Sequence, residues 1–269
     1  MAEVKLTPKV EIGIMLEAEV ITPDVFAEKN TNEIENLLVW QGSSQFPISD
    51  FFVVEGNGGS SAEATSIVIE GDVTRVKRIG CQMTAGSITI NGSAGMHVGS
   101  EMAGGEITVK GDANSWAGME MKGGLLHITG NVKDHLGCAY RGSWHGMTGG
   151  RIVIDGNAQS QVGGGMSGGE IIVNGNVENF CGIRQNGGLI VVKGDAVRTV
   201  GVEMSAGTIV VGGHIRNFSP GFEYVATESN LNFDDIVCSG EFQKYIGDYA
   251  LGKRVKGLLY ASKNANEEL

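Results

Sequence analysis

Few residues in this sequence could do chemistry, and their spacing narrows what they could do. There are four cysteines, Cys81, Cys138, Cys181 and Cys238, and no two form a Cys-x-x-Cys pair. An iron–sulfur cluster or a thiolate zinc site needs such clustered thiolates, so neither is expected on this chain. Among the histidines, His97 and His135 flank Trp116 at intervals of 19 residues. Arg78 stands one interval earlier, and Gln161 and Phe180 carry the line onward. If each interval is one turn of a stacked structure, the two imidazoles lie roughly 10 Å apart, too far to share a metal ion. An outward row of aromatic and imidazole rings instead suits a protein-binding surface, or an ordinary exposed stack beneath a loop.

A second group is the segment Cys138-Ala139-Tyr140-Arg141-Gly142-Ser143-Trp144-His145-Gly146. It breaks an otherwise regular repeat and carries Tyr, Arg and Trp, the types concentrated in interface hot spots. Catalysis here would need a nucleophile or paired carboxylates with a base in reach, and the segment offers one isolated histidine, His145. Tyr140, Arg141, Trp144, His145, His97, Trp116 and His135 are therefore the candidate partner-contact residues. The run Gly163-Gly164-Gly165-Met166-Ser167-Gly168 approaches a dinucleotide fingerprint. No strand–helix unit surrounds it to present a helix N-terminus to a pyrophosphate, so its glycines are read as corner residues. No catalytic, cofactor-binding or metal residues are assigned.

The elements that must position these residues are set by an internal repeat. Short apolar–variable–apolar strands begin at Ile67, Ile88, Ile107, Leu126, Ile152, Ile171, Ile190 and Ile209. Each is followed by a glycine: Gly71, Gly92, Gly111, Gly130, Gly156, Gly175, Gly194 and Gly213. The steps between those glycines are 21, 19, 19, 26, 19, 19 and 19. Two further glycine series, Gly80 to Gly201 and Gly86 to Gly207, keep the same phase, and glycine totals 43 of 269 residues. Such a period is too short for a helix pair or a propeller blade and fits one coil of a solenoid.

Period-two alternation turns the first and third strand residues inward and the middle one outward. Inward columns also run through Val73, Ala94, Ala113, Val132, Ala158, Val177 and Ala196, and through Ile79, Val98, Ala117, Leu136, Val162, Cys181 and Val200. Met83, Met102, Met121, Met147, Met166, Gln185 and Met204 form a third, read as packing beside glycine rather than a copper site. The expected fold is all-β: a right-handed parallel β-helix of 19-residue coils with a small N-terminal α/β cap and an irregular C-terminal extension. The cap is placed at residues 1–60, seven to eight coils at 61–213, and the extension at 214–269. Thr22-Pro23-Asp24 predicts a helix start, running to about Leu38. The tail after Ala261 is expected to be disordered, and Lys253, Arg254 and Lys256 to form a solvated face.

The net charge of -11 argues against a nucleic-acid partner, which needs a basic face. No run reaches the roughly 18 apolar residues of a membrane span, and Met1 to Gly13 lacks a signal-peptide core. A cytoplasmic location with free thiols is the expectation.

The glycine-ladder coils resemble the domain family named for its GXGXG motif, found as the C-terminal β-helix of the glutamate synthase large subunit. The flanks Glu17-Ala18-Glu19-Val20-Ile21-Thr22-Pro23-Asp24, Val39-Trp40-Gln41-Gly42, Asp50-Phe51-Phe52-Val53-Val54-Glu55-Gly56 and Tyr245 to Arg254 narrow the match. They resemble the C subunit of tungsten- or molybdenum-dependent formylmethanofuran dehydrogenase. The similarity spans essentially the whole chain. It implies a non-catalytic scaffold in a complex that reduces CO2 to formate and condenses it with methanofuran, the first step of methanogenesis. The implied partners are the amidohydrolase-like, metal–pterin and ferredoxin-type subunits of that complex. The tungsten- or molybdenum-pterin, iron–sulfur clusters and binuclear metal site would belong to those subunits, and no cofactor to this chain. The equivalent subunit of the methylotroph formyltransferase/hydrolase complex is the alternative. A stand-alone carbohydrate-active β-helix and a regulatory domain of a glutamate-synthase-like enzyme are more distant ones.

Overall fold

The computed structural model describes residues 1–252 and 254–269; Lys253 of the basic cluster lies outside the described residues, while Arg254 and Lys256 are exposed. Eight repeat strands, from Thr65–Glu70 to Ala206–Val211, pair parallel, each with the next, in one open sheet. Their register equates repeat positions: Ile67, Ile88, Ile107, Leu126, Ile152, Ile171, Ile190 and Ile209 stand one above another. A second parallel column links Val73, Ala94, Ala113, Val132, Ala158, Val177, Ala196 and Ile215. The strand, small-residue, Ile79-type and methionine columns all face one core, with Gln185 buried in its methionine position.

Glycine is required where successive coils touch. Gly124 has φ +81°, and a Cβ there would lie 2.6 Å from the Gly105 carbonyl oxygen of the preceding coil. The aromatic row is also left-handed: Arg78, His97, Trp116, His135, Gln161, Phe180 and Thr199 have φ from 56° to 70°. This region costs a side-chain-bearing residue about 1–2 kcal/mol. Inter-coil hydrogen bonds offset the cost: the backbone N–H groups of His97, Trp116 and His135 donate to Ser115 O, Asp134 O and Ser160 O at 3.1, 3.0 and 2.9 Å.

The Asx residue that follows most of the strands has a comparable role. The side-chain oxygens of Asp112, Asn131, Asn157, Asn176 and Asp195 accept from the backbone N–H of the equivalent residue one coil on, at 2.7–2.9 Å. Each coil thereby caps the next, because these N–H groups at a corner have no strand partner.

The ends differ from expectation in three ways. The helix predicted to reach Leu38 is two helices, Pro23–Phe26 and Thr31–Glu35. Thr22 caps the first as predicted, but Glu28 turns left-handed and Asn30 with Glu33 forms a capping box that restarts the chain. The C-terminal segment is regular rather than irregular: Glu223–Phe233 and Ile236–Gly247 form an antiparallel hairpin, and Gly257–Ser262 returns parallel to Ala206–Val211. The outward Val191 and Val210 are consequently not solvated; they are buried with Leu189 and Tyr260 against Leu231 and Phe242 of the hairpin. The tail is ordered too, since Asn266 is fully buried, donates to Gly213 O and Ser262 O, and accepts from Ile215 N. At the other end, Ala2–Pro8 pairs parallel with Thr65–Glu70 and antiparallel with Phe52–Gly56, so Val4 and Leu6 extend the inward columns.

Candidate partner-docking site

The inserted segment and the aromatic row, read separately in the sequence, come together. The coil that follows the insertion carries Gly164 and Gly165 where its neighbours carry side chains, and the loop attaches to that bare backbone. Ala139 N donates to Gly164 O and Gly146 N donates to Gly165 O, both at 2.9 Å. A Cβ on Gly165 would stand 2.9 Å from Trp144 O, and one on Gly164 would stand 3.0 Å from Cys138 Sγ. The glycine run that mimics a nucleotide fingerprint thus makes room for the loop.

Between loop and coils lies a cavity of about 210 Å³, lined among others by Trp116, His135, Tyr140, Arg141, Trp144 and Arg184. Trp116 points outward, as its register requires, yet is only 6% exposed because Tyr140 and Arg141 cover it. Of the two readings, a partner surface or an exposed stack beneath a loop, the loop is present, but it buries the indole rather than leaving it exposed, because an indole left in water would forfeit a large apolar burial. Beneath it the rings of His97 and His135 flank Trp116, with centroids at 6.0 and 4.1 Å. His97 is stacked behind the indole and does not line the cavity. His145 is exposed, its N–H donating to Ser143 Oγ, and it also stands outside the lining. Tyr140 and Trp144 project from the surface, 50% and 61% exposed.

Arg184 has no counterpart among the predicted residues. Its guanidinium lies 3.8 Å from the Trp144 ring centroid while its Nε donates to Glu203 at 2.5 Å. A sequence signal existed: Gln82, Glu101, Glu120, Arg184 and Glu203 form a polar series in coil register, and the structure holds all five left-handed.

Electrostatics give the site cationic rather than acid–base character. Burial, with Arg78 adding to it, holds the His97 imidazole down at about 4, and burial also lowers that of His135. Both are neutral near pH 7. Burial pushes the Cys138 thiol up to about 12, and its sulfur accepts from Gly164 N at 3.2 Å, so it is no nucleophile. All four cysteines are unpaired. Among the described residues, no three His, Cys, Asp or Glu side chains converge as they would around a metal ion. No described helix is long and apolar enough to cross a membrane.

No protein-family model matches the chain. Over all 269 residues it is 74% identical to the C subunit of the molybdenum-containing formylmethanofuran dehydrogenase 1 of Methanosarcina barkeri, covering 89% of that protein. The chain belongs to the family of formylmethanofuran dehydrogenase C subunits. The C subunit of the tungsten-containing formylmethanofuran dehydrogenase 2 of Methanothermobacter wolfeii is 44% identical over 98 residues, 36% of each chain. Among solved structures, a chain of the formyltransferase/hydrolase complex from Methylorubrum extorquens, in complex with methylofuran, superposes with a TM-score of 0.83. Identity there is 26%, over 96% of this chain and 99% of that one. The architecture is thus shared between a dehydrogenase family and a multisubunit transferase/hydrolase complex.

Proposed function

We propose that the chain is the non-catalytic scaffold subunit of a formylmethanofuran dehydrogenase, holding its amidohydrolase-like and metal–pterin subunits together. The observation that carries this reading is the full-length identity of 74% to the C subunit of such a dehydrogenase. The 26% identity to the methylotroph-type chain makes that complex the second choice. In this reading the coils wind right-handed, as parallel crossovers within one sheet do in nearly all cases. Residues 1–60 cap one end, 61–213 form the β-helix, and 214–269 close the other end. The tungsten- or molybdenum-pterin, iron–sulfur clusters and binuclear metal site reside in the partner subunits, and the assembly is cytoplasmic.

The loop with Tyr140, Arg141 and Trp144 is the docking point. It is an aromatic projection seated on a rigid stack, so little conformational entropy is lost when a partner closes over it. Replacing Tyr140→Ala together with Trp144→Ala loosens assembly and leaves the coil's circular dichroism unchanged. Unaltered recovery of the variant with its partner subunits, at unaltered dissociation rate, sinks the interface assignment. Substrate turnover by the purified chain alone sinks the scaffold reading.

A further inference from the structure

We propose that the cavity between the inserted loop and Trp116 receives an acidic side chain, Asp or Glu, from a partner subunit; this rests on the docking reading above and names the partner chemistry.

The chain carries 31 acidic residues against 20 lysines and arginines, yet no Asp or Glu lines this cavity. Two guanidiniums do, Arg141 and Arg184. Of the nearby carboxylates, Glu120 accepts from Tyr140 N at 2.9 Å, and Glu203 accepts from Arg184 Nε and so already pairs with one face of that guanidinium. That leaves the terminal amino groups of Arg184 without a protein acceptor among the described residues. Arg141, exposed and 6.0 Å from the Trp116 centroid, makes no ion pair or side-chain hydrogen bond among them either. An arginine has five N–H donors fixed in a fork that matches a carboxylate. Trp144, stacked on Arg184, holds one fork in place. Burial lowers the His135 imidazole, so the unpaired positive charge here is chiefly that of Arg141.

Size selects the source of the carboxylate. About 210 Å³ is below the ~300–1,000 Å³ of pockets that enclose drug-sized ligands. It fits one side chain delivered by an opposing surface, with Tyr140 and Trp144 packing around its stem. Trp, Tyr and Arg, the types that line this cavity, are those enriched in interface hot spots.

The test uses the complete complex, purified through a tag on another subunit, with dissociation of this chain followed on dilution. Arg141→Glu is the main variant, because Arg141 makes no bond whose loss would unfold the chain. The expected result is a roughly ten- to hundredfold weaker association, as for loss of a charge-assisted hydrogen bond. Sodium chloride weakens the wild-type complex more steeply than the variant one. If Tyr140→Ala with Trp144→Ala weakens assembly but Arg141→Glu and Arg184→Glu leave it unchanged, the docking reading stands and the acidic contact is overturned. If none of these variants weakens assembly, both fall. Sodium acetate titrated onto the full-length chain, followed by tryptophan fluorescence, separates the sources. Saturable quenching that Arg141→Glu abolishes, with assembly unaffected, assigns the cavity to a small free carboxylate and overturns the proposal.

Discussion

A single added methyl group distinguishes coil stacking from turn geometry as the reason for the glycine columns. Gly124 and Gly42 both hold positive φ, +81° and +61°, but in different surroundings. At Gly42 a Cβ meets nothing within 4 Å, whereas at Gly124 it meets Gly105 O at 2.6 Å, Met102 Cε at 2.6 Å and the Gly104 carbonyl carbon at 2.8 Å. Either Gly→Ala change carries the left-handed cost of about 1–2 kcal/mol, partly offset by a less flexible unfolded chain, about 0.4–1 kcal/mol. Those contributions cancel between the two variants. What remains at Gly124 is overpacking against backbone that two neighbouring coils hold in place, about 1–3 kcal/mol. Urea unfolding followed by circular dichroism measures the difference. With a slope of about 1–3 kcal/mol per molar, Gly124→Ala unfolds at roughly 1 M less urea than Gly42→Ala. Equal midpoints for the two variants would refute close coil contact as the reason for these glycines.

Two further outcomes follow from the buried polar groups. His97 is held at about 4 in the fold, and its ordinary value of about 6.5 applies in the unfolded chain, which therefore binds more protons between those values. Its stabilising contribution is complete above pH 6.5 and is lost as pH falls toward 4. Urea midpoints at about pH 7.5, 5.5 and 4.5 should decline less in His97→Asn, which tolerates the left-handed backbone; parallel pH profiles for variant and wild type would contradict this. Asn266→Ala strands the Ile215 N–H and the Gly213 carbonyl, with an expected loss of about 1–3 kcal/mol. The exposed Asn264→Ala is the comparison, and an equal effect at both positions would show that the tail does not close the last coil.

The tail and the N-terminal helices show where one-dimensional reading stops. Asn266 follows a polar run that suits disorder, and only the unpaired groups of Gly213 and Ile215, more than fifty residues earlier, give it an ordered place. The helix break at Glu28 had a visible signal, since Asn30 and Glu33 have capping-box spacing. The more conspicuous start at Thr22-Pro23 drew one helix through both. The Asx ladder was visible as a recurring residue type, but its function depends on the next coil's N–H lying within bonding distance.

The sequence alone determined the stacked columns, because a repeat of fixed length places equivalent residues at the same point of each coil, and alternation then decides which side chains face inward. Trp116, His97 and His135 could be aligned on that basis. Tertiary structure alone decided what covers them. The loop residues Tyr140 and Arg141 reach Trp116, Arg184 reaches Trp144, and the hairpin residues Leu231 and Phe242 bury Val191 and Val210. None of these contacts recurs at the repeat spacing. Each depends on where an irregular segment lands on the outer face of the stack, which packing and desolvation settle in three dimensions and periodicity does not encode.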